Sequence, residues 1–357
     1  MTKNQHYVPQ FYLRRFSEFE RKKQINVYNL HHKKFIIGAS IKGQAYKPFF
    51  YDNDGTIESY LSKIEYFSSN SIAKLENNPV ELANSDIKNL YTFIALSYVR
   101  TKKFADEVNM QMEFLRKHAS YSSKVHGLDA LEEPFWLKNP GLESLSALKD
   151  VYDKICDLRL EILINTTERQ FIASDNPVII CNNFIIGKKY NYGTGGVALA
   201  GTTFILPISP YMIITLYDED VYEMTTRGII ISDRNHVDIL NRFQVANAES
   251  NVYYKNRHME KWITKYANSM RNTMGQKRIK TRFASYEKAD ANGELFVVAE
   301  KITEADYKTP WLAICENNCL KLDITVPFLN IKKTPKYVNY HGRFLRTSCA
   351  KSLSKLR

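Results

Sequence analysis

The stretch Arg159-Leu160-Glu161-Ile162-Leu163-Ile164-Asn165-Thr166 decides the fold class, because its alternating, β-branched pattern marks where a helical chain turns into strands. Downstream, Thr167-Glu168-Arg169 reads as a turn, and Gln170 to Ala173 is predicted to pair back as a hairpin that ends at Ser174-Asp175-Asn176-Pro177. Asn176 precedes a proline and so avoids the α region, which fixes the direction of Asp175. Two further strands, Thr203 to Leu206 and Tyr211 to Tyr217, flank a bend at Pro207-Ile208-Ser209-Pro210, and a helix capped by Ser232 runs to about Asn247. Upstream the period is helical. Ile57, Tyr60, Leu61, Ile64, Phe67 and Ile72 recur at helix spacing, a longer helix starts at Ser85 and runs toward His118, and the two are expected to pack antiparallel. A short hairpin with His31 and His32 in its turn occupies Ile25 to Phe50, and another helix spans Leu142 to Cys156. The expected class is α+β. A helical part and N-terminal motif (1–157) would pack on a mixed or antiparallel sheet (158–255), followed by a basic α/β extension (256–357).

The opening segment carries the most chemistry. Gln5, His6, Tyr7, Gln10, Arg14 and Arg15 surround Pro9 in a run that is otherwise apolar and aromatic. Pro9 suits a helix start, so a helix to Phe16 is expected, with Gln10 and Arg14 on one face and Tyr12, Leu13 and Phe16 buried on the other. His6 would sit just before the positive end of that helix, which favours the neutral imidazole of a base or ligand. Farther along, Glu58, Glu65 and Arg100 lie amid apolar neighbours, and Glu65 and Arg100 are expected either to pair inside the bundle or to face a pocket shared with His6. Asn241 and Gln244 supply amides on one face of the 232–247 helix.

The run from Gln5 to Phe16 resembles the opening signature of the bacterial family called domain of unknown function 4238. Leu96-Ser97-Tyr98-Val99-Arg100-Thr101, Phe171-Ile172-Ala173-Ser174-Asp175-Asn176-Pro177-Val178, Leu206-Pro207-Ile208-Ser209-Pro210 and Leu240-Asn241-Arg242 follow in the family's order, over roughly residues 4 to 255. The resemblance implies a soluble bacterial protein with relatives among phage-defence genes. It implies no catalytic residues.

Charge is the second signal. Of the 50 Lys and Arg and 38 Asp and Glu, residues 255–357 hold 21 and 9, leaving 29 of each before them, so the net charge of +12 sits entirely in the last part of the chain. Lys277, Arg278, Lys280 and Arg282 form one cluster, Lys332, Lys333 and Lys336 another, and Arg343 and Arg346 a third, interleaved with aromatic or β-branched residues as on surfaces that meet a phosphate backbone. No apolar run reaches the roughly 20 residues that span a bilayer, and no signal peptide is evident, so a cytosolic protein without a membrane partner is expected. The five scattered cysteines form neither a disulfide framework nor a zinc pattern.

Known motifs for zinc hydrolysis, nucleophile elbows, phosphate loops and two-carboxylate nucleases are missing from the sequence. What remains is a polar set drawn from distant segments. His6, Asp175, Arg14, Arg100 and Glu65 are the candidate catalytic residues, and Gln10, Asn176, Asn241, Lys277, Arg278, Lys280 and Arg282 the candidate substrate-binding residues. A histidine base, an arginine to stabilise a pentavalent phosphate and a carboxylate to orient the histidine or hold one Mg²⁺ would suffice for phosphodiester cleavage. A metal-free ribonuclease is equally open, because RNA supplies its own 2′-hydroxyl nucleophile. The expectation is an antiviral effector with a phage-derived trigger that cleaves nucleic acid, with RNA ahead of DNA. Two alternatives stand beside it, a non-enzymatic sensor or binding module using the same residues, and a purely structural polar network.

Overall fold

The computed structural model describes residues 4–78, 82–109, 139–185, 196–224, 229–274, 281–289, 295–303, 326–340 and 342–354. The architecture is α+β, as the change of period at Arg159 predicts. Its centre is a five-stranded mixed sheet in the order β11(Ile229–Ile231), β5(Arg159–Asn165), β9(Met212–Tyr217), β8(Thr203–Ser209), β7(Ile179–Cys181). The β11–β5 pair is parallel and the others antiparallel.

Alternation along the central strands divides their side chains between two cores. Phe204, Leu206, Ile208, Ile214 and Leu216 face one side, whereas Ile205, Ile213 and Tyr217 face the other. Because both faces are covered, β8 and β9 read as nearly continuous apolar runs. The first face packs on α1(Gln10–Arg14) and α3(Asn84–Val99) through Tyr12, Leu13, Leu90, Phe93 and Ile94. The second packs on α6(Arg234–Asn247) through Val237, Leu240 and Phe243, and on Val326, Phe328 and Leu345 from the C-terminal part.

A four-stranded antiparallel sheet lies beside this core, in the order β3(Lys34–Ser40), β2(Gln24–Asn29), β12(Asn251–Tyr254), β6(Ala173–Ser174). Here the structure departs from the expected hairpin. The segment after Arg169 does not pair with β5; its last residues pair with β12 instead. The reason lies in a side chain, because Asn165 donates to the Arg169 carbonyl and accepts from Thr167, closing the turn without a ladder. Pro207 lies inside β8 at a bulge, and the hairpin to β9 closes at Pro210-Tyr211.

The predicted helix at Thr56–Asn77 forms as α2 and packs on α3. The helix expected from Ser85 to His118 breaks at Thr101, whose hydroxyl accepts the Phe104 N–H and starts a second helix at 102–109. Its remainder lies outside the described residues. Residues 142–156 form two helices, α4(Pro140–Ser146) and α5(Leu148–Ile155), and Asp233 rather than Ser232 caps α6. Beyond α7(Met259–Met274), β13(Thr281–Ala289) and β14(Leu295–Thr303) form a hairpin. Farther along, β15(Leu329–Ile331) pairs with β10(Tyr222–Met224), and β16(Val338–Tyr340) with β17(Arg343–Leu345), before α8(Thr347–Ser354).

Candidate functional site

The N-terminal strand β1(Asn4–His6) pairs antiparallel with β4(Tyr46–Pro48), and its pleat sends neighbouring side chains to different surroundings. The Gln5 amide donates to the Asp52 carbonyl at 2.9 Å and accepts the Tyr51 N–H at 2.6 Å. His6 Nε2 lies 3.2 Å from the Lys42 carbonyl, and its ring tilts against Tyr46. A carbonyl only accepts, so Nε2 carries the proton and Nδ1 keeps the lone pair. Burial lowers the His6 pKa below its ordinary 6.5, aided by the charges of Arg100 and Arg14 and opposed by the Lys42 carbonyl and Glu65. The imidazole is therefore neutral at pH 7.

Arg100 caps the end of α3 and is fully buried. Its guanidinium donates to the His6 carbonyl at 2.6 Å and to Glu65 of α2 at 2.8 Å, so the predicted ion pair forms and also clamps the N-terminal strand. Tyr51 adds to the clamp by donating from its hydroxyl to the Arg100 carbonyl at 3.1 Å. Two turns before Glu65, Glu58 faces the same charges. Burial raises its pKa, Arg100 opposes the rise, and Glu65 and Asp52 reinforce it. Its Oε2 is buried without a hydrogen-bond partner among the described residues. His6, Glu58, Glu65, Arg100 and the exposed Arg14 thus form one electrostatic cluster, in which a base is kept neutral and an acid is pushed toward its protonated form. Glu58 stood out in sequence only as a charge on an apolar helix, and Tyr51 carried no signal.

Asp175 belongs to a different network. Its carboxylate accepts the main-chain N–H groups of Glu249 at 2.9 Å, Ser250 at 2.8 Å and Asn251 at 3.0 Å, and is buried. Burial pushes its pKa up to about 6 even against those three donors. It makes no hydrogen bond or ion pair with His6 and does not orient that ring. The motif side chain whose hydroxyl feels Asp175 is instead Tyr7, one residue on, after the larger effect of its own burial. The other polar residues near Asp175 also serve the main chain. Asn176 donates to the Asn247 carbonyl at 3.2 Å, and Asn241 bridges the Ile172 N–H at 3.1 Å and the Gln170 carbonyl at 2.8 Å. Ser174 and Gln244 join at 2.7 Å.

Gln10 accepts from Arg14 at 3.3 Å on the surface of α1, on the shared face that their spacing predicts. Lys277, Arg278 and Lys280 lie outside the described residues, and Arg282 falls on β13. Arg346, read in sequence as part of a phosphate-facing cluster, is instead buried. It donates to Asp157 at 3.0 Å and to the Val197 carbonyl at 2.7 Å, so its charge is spent inside the fold. Among the described residues, no group of three or more His, Cys, Asp and Glu side chains is placed to hold a metal ion, and no helix is long and apolar enough to cross a membrane.

A family model described as protein of unknown function (DUF4238) matches residues 4–258. The chain belongs to that family. No curated protein and no solved structure matches it significantly. The span matched by DUF4238 contains both networks, from β1 to β12, and ends as α7 begins. Within that span Arg100 clamps the N-terminal strand and Asp175 clamps the 249–251 turn.

Proposed function

We propose that this DUF4238 member is an antiviral effector that acts in the cytosol, binds nucleic acid and cleaves RNA at the His6–Glu58–Arg14 cluster. One observation carries the cleavage step: a histidine whose Nε2 is committed to a carbonyl keeps a neutral Nδ1, and it shares the field of Arg100 with a half-buried carboxyl whose pKa is raised. In this scheme Nδ1 takes the proton of a 2′-hydroxyl, and the resulting oxygen attacks the adjacent phosphorus. The bond to the 5′-oxygen breaks, Glu58 protonates that leaving oxygen, and a 2′,3′-cyclic phosphate and a 5′-hydroxyl result. Arg14 balances the charge that builds on the phosphorane oxygens. Arg100 and Glu65 act as positioning residues through the His6 carbonyl and the local field. The basic C-terminal third supplies attraction for the polyanion.

Purified protein incubated with total RNA, tRNA and plasmid, with and without Mg²⁺, tests the proposal. Cleavage of RNA that disappears in His6→Ala and falls in Glu58→Gln is expected; intact RNA under every condition counts against it. The second reading is a non-enzymatic binding module, favoured by the commitment of Asp175, Asn176 and Asn241 to main-chain contacts. It predicts protection against phage that needs binding but survives His6→Ala.

A further inference from the structure

The motif residue Arg242 has no part in either network. It lies on α6 in register with Asp238 and Arg234, four and eight residues before it and hence on one stripe of the helix. Across from them, α7 presents Trp262 and Tyr266, also one turn apart, with ring centroids 4.4 Å from each other. The Arg242 guanidinium sits 5.3 Å from the centre of the Tyr266 ring, Lys265 Nζ lies 5.4 Å from the same ring, and Arg169 lies 5.9 Å from Trp262. Arg169 is balanced by Asp238 at 2.8 Å. Arg234, Arg242 and Lys265 have no ion-pair partner among the described residues, and Arg242 Nε makes no hydrogen bond. The patch therefore holds an excess of cations over its one carboxylate.

A guanidinium held over a ring has its face covered, and with Nε of Arg242 buried it is the two terminal nitrogens that are left to donate to the oxygens of a phosphate. We propose that this α6/α7 face is a second nucleic-acid contact, in which Arg242 and Lys265, held by Tyr266, grip the phosphates of an RNA strand. It extends the nucleic-acid reading from the C-terminal third into the DUF4238 span and depends on that reading for binding, though not for cleavage. Cations set among aromatic side chains are the pattern of a strand-tracking groove, whereas an acidic peptide needs no rings.

Fluorescence anisotropy of a labelled single-stranded RNA, titrated with the full chain over a range of salt, tests the site. Arg242→Gln and Lys265→Gln are each expected to weaken binding and to lower the slope of log K against log salt by about 0.7, one phosphate contact each. Lys149→Gln, whose lysine is exposed and paired with Asp153, serves as the unaffected control. Lys265 is exposed, so its variant keeps the test valid should loss of Arg242 disturb the Tyr266 packing. Wild-type binding that both variants leave unchanged overturns this site and leaves the functional reading intact. Binding that is weakened as expected without any RNA cleavage keeps the site and sinks the nuclease. Competition by poly-glutamate as strong as that by RNA, or no RNA binding by the wild type, overturns the site as well.

Discussion

Asp175 shows how a residue that looks catalytic can be occupied by the chain itself. Three N–H donors converge on a carboxylate that water scarcely reaches, so Asp175→Ala leaves buried donors unpaired. The expected loss is about 3 kcal/mol or more, read by urea denaturation. The pH dependence has a definite sign. Burial raises the folded pKa from 3.8 to about 6, so between those values the folded state holds more protons than the unfolded one and stability falls as pH rises. The difference in unfolding free energy between wild type and Asp175→Asn should therefore shrink by about 2 kcal/mol from pH 4 to pH 7. A difference that grows with pH contradicts it. His6 behaves in the opposite way in catalysis, because its neutral form is the active one. RNA cleavage should follow a bell in pH, its rising limb set by His6 with a midpoint below 6.5 and its falling limb by loss of the Glu58 proton, with a midpoint above 4.5. Glu65→Gln removes an influence that raises the His6 pKa and should move the rising midpoint lower, and Arg14→Gln should move it higher. A rising midpoint that neither variant shifts separates His6 from the observed chemistry.

Elements are held together here by a few polar clamps. Arg100 connects α3, α2 and β1, and Arg100→Ala strands the Glu65 carboxylate and the His6 carbonyl. A loss of about 3–5 kcal/mol is expected, measured as a fall in the denaturant midpoint. Gly141 in the first turn of α4 shows a steric limit, since a Cβ there would lie 2.1 Å from the Phe50 carbonyl oxygen. Gly141→Ala should destabilise by at least the 1–3 kcal/mol or so typical of overpacking. Periodicity revealed α2, β5, β8, β9 and α6, because each buries a face and burial is what imposes the period. It also revealed the Glu65–Arg100 pair, since two charges on apolar helix faces have few other partners. Periodicity could not show that the segment after Arg169 pairs with β12, a choice made by the Asn165 turn and by residues nearly eighty positions away. Nor could it show that Asp175 acts on Tyr7 and makes no bond to His6, because Asp175 is held by main-chain N–H groups of the 249–251 turn, 74 or more positions away.

At the scale of the whole molecule, the charge asymmetry and the packing point in different directions. The last third carries the excess of Lys and Arg, yet its end is built into the second core by Val326, Phe328 and Leu345, and Arg346 is tied to Asp157. A chain ending at Thr325 should therefore fold poorly, with a broadened or lost thermal transition, rather than behave as an intact DUF4238 unit that has lost only its basic surface. The central claim is tested most directly by analysing the ends of RNA incubated with the full chain. The account predicts fragments with 2′,3′-cyclic phosphate and 5′-hydroxyl termini, formed by the wild type and by Asp175→Asn but not by His6→Ala. Fragments that His6→Ala produces at the wild-type rate, or no fragments at all, would contradict it.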